Sequence, residues 1–442
     1  MNSFERPITP GFVLRFTLPG MLMMLFNSFY TMVDGGFVSN FVSTDALSAI
    51  NIVFPLINFV LAVGIMLASG GSAVTARQMG EKEPELARQS FSLLVAFSAG
   101  LGIVIAILSI VFVDPIVWAL GSTDALYGYC RDYLVFMSLF TPCCMLQILF
   151  QFFFTTAGRP HLGLASTLLG GIANMVLDYV LIVPLHMGIR GAAIATGIGQ
   201  AIPTVIGLVY FFSRHNDLLY FVRPVMRGWV LGRACLNGSS EMVSNLAVAV
   251  TTYLFNIIML SYLGEDGVAA ITIVLYAQFF FTAIFFGYTS GVAPLISFHF
   301  GAHNQNRLKQ LVRLSLLFVV VCSLLAYGGS VVLSQTVVGM FAQRGTAVFS
   351  IASDGMELFA IGFLFMGFNI FASGLFTALS NGMVSAVLSF LRTFVFLIAA
   401  IELLPKLCGV SGVWLAIPAA ELLALVVALF CILRYRKQYQ YL

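Results

Sequence analysis

Charge is what this sequence has least of: Asp, Glu, Lys and Arg make up 9% of its 442 residues, against 60% hydrophobic ones. A soluble domain is about a quarter charged, so a chain that shields itself from water with charge is excluded. Lipid is the solvent that fits, and a mean hydropathy of +1.00 agrees. The net charge of +3 is spread too thinly for a basic patch, which removes nucleic acid as a partner. The seven Cys, the adjacent Cys143 and Cys144 included, lie scattered in apolar runs without zinc spacing or a disulfide framework. A P-loop motif is missing, and with it that route to ATP hydrolysis. The sequence also lacks a DxxD acid cluster to hold Mg²⁺ and pyrophosphate, and its five His are dispersed. This counts against a membrane-embedded polyprenyl-lipid transferase. No small-residue cleavage site follows the first apolar run, so that run is expected to stay as a span.

What is abundant is apolar length. A spanning helix needs about 20 mostly apolar residues, and Pro, Gly and charge punctuate the chain into twelve such runs. They are 11–38, 46–76, 90–113, 127–155, 161–184, 190–213, 235–260, 267–297, 308–333, 352–378, 383–405 and 410–434. Barrel strands are short and alternating, so the runs predict an all-α integral membrane protein. Sixteen basic residues, from Arg6 and Arg77 to Arg436 and Lys437, fall on one set of connections, and only Arg131, Arg190, Arg344 and Lys406 on the other. The positive-inside rule then puts both termini in the cytoplasm of an inner-membrane, multi-pass protein.

The two halves repeat at an offset of 221 residues. Asp45–Val53 matches Asp266–Val274 at five of nine positions, and Gly80, Pro184, Gly188, Gly191 and Ala195 fall on Gly301, Pro405, Gly409, Gly412 and Ala416. Six spans per half is an even number, so the halves share an orientation and relate by a pseudo-two-fold axis along the membrane normal. Expected are an N-lobe over 1–213, a cytoplasmic linker over 214–234 and a C-lobe over 235–442.

Acids inside a bilayer are expensive and so informative. Asp34 lies in span 1, after Pro19, which removes a backbone hydrogen bond and makes the helix bendable. Asn174 and Asp178 share one face of span 5, with Thr196 a short hairpin away in span 6. Two carboxylates, an amide and a hydroxyl are hard oxygen ligands for Na⁺, and a close carboxylate pair can instead share a proton. Helix-stapling hydrogen bonds are the bland alternative. Glu241 is placed at the start of span 7, where the helix dipole would also favour it. Glu357, Glu402 and Glu421 are assigned no role, and Arg392 is the basic residue within a span. The 42 Phe, 15 Tyr and 18 Met mostly face lipid or helix contacts; a few would suit cationic amphiphiles in a cleft.

Pro19, Tyr30, Val33-Asp34-Gly35, the run Asp45–Pro55, Gly80, Gly158-Arg159-Pro160, Asn174, Asp178 and Thr196 together resemble the MATE (multidrug and toxic compound extrusion) family, bacterial type, over the whole chain. The resemblance implies secondary active export of organic cations by H⁺ or Na⁺ antiport through alternating access. It implies a cation or proton site at Asp34, Asn174, Asp178 and Thr196, supported by Tyr30, Tyr133 and Gln151, and a hinge at Pro19. In the C-lobe, Glu241 resembles an acid some members use. Asn369 stands where some carry Asp, and Thr155-Thr156 departs from a common Arg-Ala run; both weaken a C-lobe ion site. A monomer in the bilayer is expected, with no cofactor or metal beyond the coupling ion. A flippase for lipid-linked sugars, the related alternative, would want more intramembrane Arg and Lys than Arg392 alone. A channel or receptor is a third alternative, against which the acid pair and the repeat argue for a transporter.

Overall fold

The computed structural model describes residues 3–213 and 218–442, without the side chains of 3, 31, 32, 35, 36, 39, 40 and 44. Residues 214–217 of the expected linker, Arg214 and His215 among them, lie outside the described residues. Every regular element among the described residues is helical. The first half holds α1 (Pro10–Phe41), α2 (Thr44–Gly80), α3 (Pro84–Val111), α4 (Val113–Ala119), α5 (Tyr127–Leu139), α6 (Thr141–Thr156), α7 (Pro160–Ile182) and α8 (Gly188–Phe212). The second holds α9 (Gly228–Gly301), α10 (Gln305–Val332), α11 (Ser334–Val338), α12 (Ala347–Phe359), α13 (Phe363–Ala378), α14 (Gly382–Phe390), α15 (Leu397–Cys408) and α16 (Val410–Tyr439).

Local chemistry sets the ends. Thr9 caps α1 by accepting from Phe12 N at 3.2 Å, Ser43 caps α2 by accepting from Ala46 N at 3.0 Å, and α1, α3 and α7 carry Pro in the first turn. Three departures from uniform spans stand out. The fourth span breaks at Phe140 and bends by 53° into α6, because Pro142 cannot donate to the preceding turn. The 74-residue α9 is two spans meeting at Gly264, whose φ of 64° and ψ of −152° only glycine tolerates. It starts at Gly228, ahead of the expected 235, and so takes in the end of the predicted linker. The eleventh span carries a π-helical stretch, Leu391–Phe396, between α14 and α15. With α9 counted twice and α5–α6, α12–α13 and α14–α15 each as one, the chain crosses twelve times, in two lobes of six.

The repeat reappears in the backbone. Gly188 and Gly409 both have φ near 60°, as do Lys82 and His303, each pair 221 apart. The short α4 and α11 start 221 apart as well. Between halves, α2 and α1 pack on α9, and glycines let the backbones touch. A Cβ on Gly80 would stand 2.0 Å from Phe298 O, and one on Gly301 2.2 Å from Arg77 O. That is one contact and its symmetry mate, since Arg77 and Phe298 are also 221 apart. Gly70 against Ala234, Gly238 against Met66 and Gly20 against Gly287 close the same end, the end bearing most of the basic residues. Phe4 and Tyr441, both fully buried, tie the two chain ends into one apolar cluster with Val292 and Leu308. Outward-facing residues such as Val111, Val209 and Leu325 are more than half exposed, as a lipid-facing surface requires.

Candidate functional site

The acids of spans 1 and 5 meet. The carboxyl groups of Asp34 on α1 and Asp178 on α7 lie within hydrogen-bonding reach of each other. Among the described residues, no donor stands against either Asp178 oxygen or against Asp34 Oδ1, all three buried. Carboxylates only accept, so this approach is favourable only with a proton or a cation between them. Asn174, 2% exposed, points its amide nitrogen at Thr196 Oγ1, 3.5 Å away, and keeps a buried Oδ1 unpartnered. Tyr133 on α5 is within electrostatic range of both acids, and Tyr30, four residues before Asp34, of Asp34.

Small residues make this assembly possible. Cβ atoms on Gly170 and Gly199 would stand 2.4 Å from Gly199 O and 2.9 Å from Asn174 Cβ, so α7 and α8 touch backbone to backbone. Beside the contact lies a narrow crevice of about 10 Å³, water-sized, lined by Asn27, Tyr30, Gln147, Thr167, Gly170, Gly171, Asn174, Thr196, Gly199, Gln200 and Pro203. Asn27, Gln147 and Gln200 escaped the sequence reading. Their signal is spacing: Asn27, Tyr30 and Asp34 recur along one face of α1, as do Thr196 and Gln200 on α8. Gln151, expected as a supporting residue, instead donates to Thr167 Oγ1 at 3.0 Å and does not line the crevice. Pro19 lies within a continuous α1, and its neighbour Gly20 packs on Gly287.

The C-lobe residues fall into two clusters. Glu241 is not at a helix start: α9 begins thirteen residues earlier, at Gly228, and the carboxylate is 8% exposed. Ser240 Oγ donates to its Oε2 at 2.6 Å, Thr377 Oγ1 on α13 to its Oε1 at 3.4 Å, and Ser69 reaches it from α2. It therefore sits between the lobes. Asn369 joins Glu421 instead, donating to Oε2 at 2.7 Å and to the backbone oxygen at 2.8 Å. Glu421 in turn pairs with Arg392 at 2.8 Å, so this acid is no bystander. His299 and His303 stand four apart, but His299 is buried and His303 lies beyond the helix end with φ of 52°. No group of three potential metal ligands occurs among the described residues.

The family model MatE matches residues 19–180 and 242–400. A protein named Multidrug export protein MepA from Staphylococcus haemolyticus is 24% identical over 433 residues, covering 96% of this chain and 94% of that protein. MepA of Staphylococcus aureus (strain NCTC 8325 / PS 47) is 22% identical over 432 residues, covering 96% and 93%. Among solved structures, an outward-facing multidrug resistance MATE family transporter of the MOP superfamily superposes with a TM-score of 0.90 at 19% identity, covering 97% and 96%. With both matched segments taking in most of each lobe, this chain belongs to the MatE family.

Proposed function

We propose that this chain is a secondary active exporter of small cationic or amphiphilic organic molecules, driven by inward flux of H⁺ or Na⁺. The close approach of Asp34 and Asp178, with three of their four oxygens lacking a donor among the described residues, carries this reading. An intramembrane acid pair of this kind suits exchange of protons or a hard cation. Asn174 Oδ1 and Thr196 Oγ1 add oxygen donors on the same side, and Tyr30 and Tyr133 wall it. The names of the Staphylococcus proteins, multidrug export proteins, support drug-like substrates.

In this mechanism, binding of the ion neutralises the acid pair, α1 yields at Pro19, and the change in the N-lobe expels substrate. The lobes 1–213 and 235–442 then rock about their contact at the basic end, with both termini in the cytoplasm and one chain sufficient. The test is ethidium efflux in inverted vesicles under separately imposed pH and Na⁺ gradients. Efflux driven by one gradient is expected, and its identity names the ion. Efflux that responds to neither gradient removes the coupling.

A further inference from the structure

The second lobe keeps no copy of the acid site. At the 221-residue offset Asp34, Asn174, Asp178 and Thr196 fall on Phe255, Val395, Ala399 and Ile417, all apolar. One helical turn away, the same offset puts Arg392 on Gly171 and Glu421 on Gln200, two residues that line the N-lobe crevice. Where the first lobe has a polar crevice, the second has a charge pair.

That pair has the form of a receptor with an occupant. Arg392 Nη2 lies 2.8 Å from Glu421 Oε1, and its Nε lies 2.9 Å from Oε1 and 3.0 Å from Oε2. A carboxylate that holds a guanidinium this way holds an organic cation. Asn369 holds the carboxylate from α13, independently of Arg392, by one bond to Oε2, and anchors the Glu421 backbone by a second. The receptor therefore does not depend on its occupant for its shape. Asn369 is 4% exposed, and its Oδ1 has no donor, a vacant acceptor beside the carboxylate. The side chain of Glu421 is 6% exposed, but that of Arg392 is 15%, so the occupant is the accessible member. Arg392 also stands on the π-helical stretch, a backbone form found mostly at functional positions.

We propose that Glu421 and Asn369 form a C-lobe receptor for the positively charged group of the exported organic cation, and that the Arg392 guanidinium is its tethered occupant between transport events. This rests on the exporter reading above and adds where the substrate's charge is held. A tethered competitor lowers apparent affinity by the fraction of time it occupies the site. Its removal raises affinity, and removal of the carboxylate lowers it.

The experiment measures ethidium binding by fluorescence anisotropy to the full chain in lipid nanodiscs. The four forms are the unsubstituted protein, Arg392→Met, Glu421→Gln and the double variant Arg392→Met/Glu421→Gln. Arg392→Met is expected to bind about ten-fold tighter and Glu421→Gln about ten-fold weaker, each step equal to about 1.4 kcal/mol. The double variant is expected to match Glu421→Gln, because a competitor has no effect once its site is gone. Either single change leaves a buried charge alone and can prevent folding; the double variant leaves none and decides in that case. Ethidium affinity in the double variant equal to the unsubstituted protein's overturns the receptor and leaves a helix staple. An unsubstituted protein that neither binds nor exports ethidium removes the exporter reading itself, and the receptor with it.

Discussion

The glycine contacts that join the lobes at the basic end allow a test of alternating access by one methyl group. In Gly301→Ala the new Cβ would stand 2.2 Å from Arg77 O, and in Gly80→Ala 2.0 Å from Phe298 O, where real Cβ contacts stay beyond 3.0 Å. The obstructing atoms are backbone carbonyls, so no side-chain rotation relieves the clash. The helices must part by roughly 1 Å, a gap that forfeits a quarter to half of each local dispersion contact. Overpacking of this kind costs about 1–3 kcal/mol, and it is felt only while this end is closed. Opening at this end relieves the clash without unfolding any helix, so thermal stability is expected to hold. The conformational equilibrium should shift on the order of ten-fold toward opening at this end. The assay is maleimide labelling of Gln78→Cys, at a position 3% exposed beside the contact, with the exposed Cys408 changed to Ser. Labelling should accelerate on the order of ten-fold in Gly301→Ala and Gly80→Ala, with ethidium export slowed. Gly232→Ala, with nothing within 4 Å of its Cβ, should change neither. Labelling at the unsubstituted rate in both tight variants would refute the reasoning.

Asp34→Asn and Asp178→Asn should each keep expression and melting temperature near normal while abolishing gradient-driven efflux, since the amide preserves size but not charge. Efflux at the unsubstituted rate in both would make the pair structural. Glu241→Gln should reduce transport only in part, because Ser240, Thr377 and Ser69 still hold the side chain. Its complete loss with normal folding would move the coupling to this interlobe acid. Pro19→Ala should slow ethidium efflux and leave ion-dependent stabilisation of the folded protein intact; unchanged efflux would remove the hinge. A reporter fused after Leu442 should be cytoplasmic, and a periplasmic signal would overturn the orientation.

Read alone, the residues determined a great deal here because the bilayer allows so few solutions. Backbone groups without water must bond within a helix, so apolar run length translated directly into twelve crossings, and an even number per repeat decided the relation of the halves. The pairing of Asn174 with Asp178 was readable because four residues is about one helical turn. What the residues left undecided depends on which helix faces which. Asn369 looked like a partner for Glu241, yet α13 turns it toward Glu421 on α16. Arg392 and Glu421, 29 residues apart, looked unrelated until α16 folded back along the π-helical turn. Gln147, one turn before Gln151, lines the crevice while Gln151 bonds Thr167, a difference that rotation about α6 controls. Helix rotation and crossing follow from interdigitation of many side chains and from the few places where glycine lets backbones touch. No local pattern encodes that sum, so the spans belong to the sequence and the clusters between them to the tertiary structure.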